Sequence, residues 1–73
     1  MGEFVNDGDY QLLDYVFSPF NTDEGDTNIE VRDFDDILVG EIAGVEIPDE
    51  NDTEQVAVFE EILKLWLKGM RLI

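Results

Sequence analysis

Two periods of apolar residues divide the chain, and the helical one occupies its last third, "DTEQVAVFEEILKLWLKGMRLI". At about 100° per residue, Val56, Val58, Phe59, Ile62, Leu63, Leu65, Trp66, Leu67 and Met70 fill an arc of about 200°. Glu54, Ala57, Glu60, Glu61, Lys64, Lys68 and Arg71 share the remainder. Asp52 can cap the first free N–H groups, and Gln55 stands three residues on, as in a capping box. Acids gather toward the start and bases toward the end, matching the helix dipole. Glu60 and Lys64 form an i,i+4 pair in the better orientation. These features predict a helix over about 53–69, which Gly69 either ends or loosens in its last turn.

A surface helix needs an apolar stripe only a little over about 100° wide. One small sheet does not easily cover an arc twice that width. The surplus predicts a homodimer formed through the helix, with Phe59, Ile62, Trp66, Leu67 and Met70 at the interface.

Upstream the signals favour strands. "DYQLLDYVFSPF" is rich in Tyr, Val and Phe, which predicts a strand over Tyr10–Phe17 that stops before Pro19. "NTDEGDTN" is turn chemistry centred on Gly25. "NIEVRDF" alternates, with Ile29 and Val31 on one face and Glu30 and Arg32 on the other, the mark of a half-buried strand. "DDILVGEIAGVEIP" supports two readings. Its β-branched residues fit a strand bulged at Gly40 or Gly44, whereas Asp33 and Asp36 fit the start of a short helix ending at Gly44. The expectation here is a strand at Val45–Ile47, with 34–43 left open, and then an acidic turn from Pro48 to Asp52. The fold class that follows is α+β: one acidic domain over 1–73, with a small, mostly antiparallel sheet within 9–47 and the C-terminal amphipathic helix packed on it.

Composition narrows what such a domain does. A chain of 73 residues seldom draws more than roughly 3–5 kcal/mol from its core alone. With no Cys and no His, disulfides and a structural zinc are both excluded. Association with another chain is the remaining source of stability. "MGEFVNDGDY" is acidic and lacks the apolar stretch of a signal peptide, and no run approaches the roughly 20 apolar residues that span a bilayer. The expected location is the cytoplasm.

Nineteen acids and four bases give a net charge of −15. The bases are Arg32 and then, past the last acid, Lys64, Lys68 and Arg71. Self-repulsion of this size weakens a compact state and attracts basic proteins, while repelling nucleic acid and anionic membrane. Wholesale disorder would be the plain consequence of such charge. Against it, 44% of the residues are apolar, 11% are aromatic, and both kinds are patterned.

Catalytic chemistry finds few footholds. Without His or Cys, the commonest general base and the thiol nucleophile are missing. The single serine, Ser18, precedes a proline and has no residue to activate it, and the Asp-Ser-Leu attachment site of an acyl carrier protein is absent. No glycine-rich loop ends in Lys-Ser or Lys-Thr. Asp49, Asn51, Thr53 and Glu60 fall at positions 1, 3, 5 and 12 of a calcium loop, but Glu54 stands where that loop needs glycine. "DFDD" at 33–36 resembles fragments of magnesium sites only as any Asp-rich chain does. The expectation is no enzyme, no cofactor and no metal. A membrane-surface helix fits poorly, because such helices are rich in Lys and Arg and this one has three late cations.

The carboxylates themselves are the candidate chemistry. Seven of the fifteen residues in "TDEGDTNIEVRDFDD" are acidic. A coat evenly spread for hydration, as in proteins of salt-saturated cytoplasms, would not gather three of the four bases at one end. A generic acidic partner, such as an antitoxin or regulatory subunit, accounts for the charge. A sharper form has the carboxylates imitating phosphates, since a strand rises about 3.3 Å per residue against about 3.4 Å per nucleotide along one DNA strand. Repulsion that weakens the free fold is then relieved by docking on a cationic cleft. In size, charge, lack of Cys and His, and acid runs such as "TDEGD" and "PDENDTE", the chain resembles the small acidic DNA-mimic inhibitors that bacteriophages direct at host proteins. That resemblance implies a basic DNA-binding host protein as partner, an HU-type nucleoid protein among the options, competition with DNA, and no nucleic acid bound directly. The expected contacts are Asp23, Glu24, Asp26, Glu30, Asp33, Asp35 and Asp36, with Asp49, Glu50 and Asp52 as a second cluster. Phe20, Phe34 or Tyr15 would add an apolar anchor.

Overall fold

The computed structural model describes residues 2–73. Five strands, β1 (Glu3–Val5), β2 (Asp9–Leu12), β3 (Tyr15–Asn21), β4 (Thr27–Asp33) and β5 (Leu38–Ala43), precede one helix, α1 (Thr53–Gly69). The strands lie in sequence order in a single sheet, and every neighbouring pair is antiparallel. With one helix on one face of this sheet, the fold is α+β.

Alternation decides which side chains meet the helix. Tyr10, Leu12, Phe17, Ile29, Val31 and Ile42 point to one face and are buried there beneath Phe59, Leu63 and Leu67 of α1. Ile29 and Val31, the alternating pair of the sequence, lose all solvent contact. Tyr10 joins three elements: its ring meets Phe4 of β1 edge-on at 5.1 Å and Phe59 of α1 edge-on at 5.3 Å. At Gly40 the Trp66 ring of α1 lies against the β5 backbone. A Cβ there would stand 2.7 Å from the Trp66 ring, so only glycine admits that contact. Among the described residues no charged side chain is buried. The core is wholly apolar apart from the Tyr10 hydroxyl, and every described acid but the part-buried Glu60 is at the surface.

The expected strand over Tyr10–Phe17 is two strands. A two-residue hairpin at Leu13–Asp14 divides it, pairing Leu12 with Tyr15 and Tyr10 with Phe17. Leu13 takes a φ of 56° there. Positive φ in a two-residue turn lets the turn follow the twist of its strands, and an exposed leucine holds it without help from glycine. The strand also does not stop at Pro19, which pairs with Ile29 inside β3. β2 leaves β3 after Phe17, so the second half of β3 has a neighbour on one side only, and proline is tolerated on such an edge.

The expected strand at Val45–Ile47 is irregular instead; the strand is β5, in the segment that had been open. Gly44, with φ of 73°, turns the chain out of the sheet just before Val45. Val45 and Ile47 still pack against the core without strand pairing. A register shift opposite Val31 and Arg32 leaves Val39 unpaired beside Gly40. β1 was not expected. Its hairpin turns through Asn6 and Asp7, with φ of 53° and 59°.

The helix begins where its cap predicted. Asp52 accepts a hydrogen bond from the Gln55 N–H at 3.3 Å. At the other end Gly69 is the last helical residue, but Arg71, with φ of 59°, makes the left-handed turn. The Leu72 N–H returns to the Leu67 carbonyl at 2.9 Å and the Arg71 N–H to that of Lys68 at 3.0 Å, the paired bonds of a Schellman end. The Tyr15 hydroxyl then donates to the Leu72 carbonyl at 3.2 Å, fastening the C-terminal turn to β3. No helix of the described residues is long and apolar enough to cross a membrane.

Candidate partner-binding surface

The strand order sends the turns alternately to the two ends of the sheet. The β1–β2 turn (Asn6–Gly8), the β3–β4 turn (Thr22–Asp26) and the segment from Gly44 to Asp52 share the end where α1 begins. The β2–β3 turn and the β4–β5 turn (Phe34–Ile37) share the end where α1 finishes.

At the first end the side chains of Asp23, Glu24 and Asp26 are exposed. Their turn is fixed by its own backbone: the Thr22 N–H donates to the Asp26 carbonyl at 2.8 Å, and the Asp26 N–H to Thr22 Oγ1 at 3.2 Å. Glu46 faces this turn across a shallow concavity. An adjoining groove runs between the β1–β2 hairpin and the half-free stretch of β3, with Phe4, Val5, Pro19, Ile47 and Pro48 on its walls and Asp7, Glu46 and Glu50 at its rim. Asp9, Asp49, Asp52 and Glu54 belong to the same end. More than half of the nineteen carboxylates therefore lie there, and among the described residues no Lys or Arg does. Asp7 and Glu46 stand at this end although the sequence reading did not include them; the turn sequences around them, "NDG" and "GVEIP", were the available signal.

The expected contacts divide between the two ends. Asp23, Glu24 and Asp26 share one end of the sheet with Asp49, Glu50 and Asp52, although the chain separates them. Asp33, Asp35 and Asp36 go to the opposite end of β4, about 20 Å away by strand rise. Several of these carboxylates already have work. Asp33 Oδ1 accepts from the Asp35 and Ile37 N–H groups at 2.9 and 3.0 Å and so builds the β4–β5 turn. Asp49 accepts from the Asn51 N–H at 2.9 Å, and Asp52 is the helix cap. Arg32 lies between Glu30, at 3.2 Å, and Asp36, at 3.9 Å, and offsets both. A phosphate-like row along β4 is therefore not present: Glu30 is the one acid in the middle of that strand, and a cation flanks it. Like charge crosses the sheet instead, since Glu30 pairs with Glu41 of β5.

Of the apolar anchors, Tyr15 is held by Leu72, Phe20 is half-buried on the uncovered face, and Phe34 is 60% exposed but at the end away from Asp23. Of the residues expected at a dimer interface, Phe59 and Leu67 are 3% and 0% exposed within the chain's own core, so they are not available to another copy. Trp66 is half-buried over Gly40, while Ile62 and Met70 are exposed.

One carboxylate differs from all the others. Glu60 Oε1 accepts from the Gly2 N–H at 2.6 Å and from the Tyr10 hydroxyl at 3.1 Å, and Oε2 lies 3.7 Å from Lys64 Nζ. The Gly2 hydrogen bond first, then those of Tyr10 and the charge of Lys64, hold its carboxyl below the usual range against the opposing effect of burial. Burial first, and then the Glu60 carboxylate, push the Tyr10 phenol up to about 12. This cluster pins the start of β1 to the middle of α1, which is a structural task. No three acidic side chains among the described residues converge as a metal site. Comparison with protein-family models, with curated proteins and with solved structures found no match.

Proposed function

We propose that the chain is an inhibitor that seats its acidic end in the nucleic-acid-binding cleft of a basic protein and competes with DNA for it. The observation that carries this reading is the convergence of carboxylates from three separate chain segments on one end where, among the described residues, no Lys or Arg stands, mounted on turns with internal hydrogen bonds. A cleft lined with Lys and Arg recognises dense, fixed negative charge, and docking releases the counterions condensed on both surfaces. The groove walled by Phe4, Val5, Pro19, Ile47 and Pro48 supplies an apolar contact beside the charge. That combination suits a protein partner better than a small cation. Action on a host DNA-binding protein places the inhibitor in the host cytoplasm.

The test is retention of a purified HU-type nucleoid protein, and of other basic DNA-binding proteins, on the immobilised chain. Binding at low salt that is lost at high salt and displaced by duplex DNA supports mimicry. Retention that DNA cannot displace overturns the mimicry and leaves an acidic partner of another kind.

A further inference from the structure

Helix α1 carries a second apolar row that the sheet does not cover. Val58, Ile62 and Leu65, at 53%, 38% and 67% exposure, follow one another at spacings of four and three, the seam of a helix pair. Gly69, seven residues after Ile62, extends the row with an open position where an added Cβ would meet nothing. The row lies on the β5 side of the helix, next to Trp66 over Gly40, while the opposite flank is tied to β1 through Glu60 and Gly2. Along the outer margin of the row stand Glu54, Glu61 and Lys68, seven residues apart. Among the described residues Lys68 has no ionic partner.

We infer that this row binds the same row of a second copy, with the two helices antiparallel about a two-fold axis. Charge complementarity selects both the occupant and the direction. In the antiparallel alignment that sets Ile62 against the partner's Leu65, Val58 meets the partner's Gly69, where there is room for it. Lys68 then falls beside the partner's Glu61, and the two-fold axis makes this contact twice. In a parallel alignment the Glu61 and Lys68 flank of one helix would instead face the Trp66 flank of the other, so Lys68 would gain no acidic partner. That alignment would also bring the two acidic ends together, whereas the antiparallel pair sends them to opposite ends of the dimer. The interface uses none of the acidic turns, so it stands or falls independently of the function proposed above.

Sedimentation of the full chain across a concentration series, at low and at high salt, tests the assignment. The expected mass is twice 8.4 kDa, with association tightening as salt screens the −15 charge on each copy. Docking on a cationic cleft weakens with salt, so the two interactions separate by their opposite dependence. Ile62→Lys or Leu65→Lys should give a folded monomer whose melting temperature no longer depends on protein concentration, because neither side chain is in the core. Lys68→Glu should weaken association about tenfold, and combining it with Glu61→Lys should restore it. A wild type that stays monomeric at high salt and high concentration overturns the inference. So does a dimer indifferent to Ile62→Lys and Leu65→Lys, or a double charge reversal that fails to rescue.

Discussion

The turns at the two ends of β4 have nearly the same composition and opposite uses. The β3–β4 turn holds Asp23, Glu24 and Asp26, whose exposed carboxylates accept no hydrogen bond and form no ion pair among the described residues. The β4–β5 turn follows Asp33 with Asp35 and Asp36; there Asp33 builds the loop and Arg32 stands against Asp36. The first turn projects charge outward, and the second uses it to hold itself together. Acid density in a sequence is therefore a poor measure of the field a protein presents. What counts is whether each carboxylate has found an N–H group or a cation of its own.

The largest expected effect comes from neutralising the free end. Changing Asp23, Glu24, Asp26 and Glu50 together to their amides should lower affinity for a basic DNA-binding partner about 100-fold at low salt, with the melting temperature unchanged or higher as repulsion falls. The same change at Asp35 and Asp36 should cost less than about threefold. Equal losses, read by titration calorimetry, would erase the distinction between the two turns.

Stability should show the reverse order. Asp33→Ala leaves the Asp35 and Ile37 N–H groups without their acceptor and should cost about 1–2 kcal/mol, seen as a melting shift of about 4–8 °C per kcal/mol for a domain of this size. Asp33→Asn keeps an acceptor oxygen and should recover most of it. Asp23→Ala should leave the melt where it is.

Glu60 extends the contrast to pH. Its carboxyl lies below the usual range when folded, so its contribution is fully present above the unfolded carboxylate value and is lost as pH falls through the folded one. Glu60→Gln should therefore destabilise by about 1 kcal/mol near neutrality and by progressively less in acid. A difference in melting temperature that persists undiminished at the acid limit would show that the ionised carboxylate is not what holds Gly2 and Tyr10. The phenol of Tyr10, raised to about 12, works in the other direction: its share of stability is intact below about 10 and declines above it. The smallest effect is expected for Arg32→Gln, at most about 1 kcal/mol of stability. It should also make the β4–β5 end more acidic and slightly raise its pull on a cationic surface.

Local signals read well where they were redundant. Asp52 as cap, acids early and bases late, and a 3.6-residue period all marked α1, and the helix spans Thr53–Gly69. Strict alternation marked Ile29 and Val31, and both are fully buried. Reading failed where one residue works against its type. A leucine at positive φ gave no sign of the hairpin at Leu13, and Pro19 looked like a strand end because it could not be known that β2 leaves β3 before reaching it. β5 was obscured by Gly40, whose presence answers to Trp66, a neighbour distant in sequence.

The sequence by itself determined the class of fold, the helix with its cap, the buried face of β4 and a charge too large to be neutral toward cations. These follow from interactions within a turn or two of chain, whose strength depends on spacing alone. Only the tertiary structure decided which acids stand together, which are consumed by their own loops, and which apolar residues of α1 the sheet leaves bare. Antiparallel pairing sends alternate turns to opposite ends, so carboxylates adjacent in the chain are parted by the length of a strand while distant ones become neighbours.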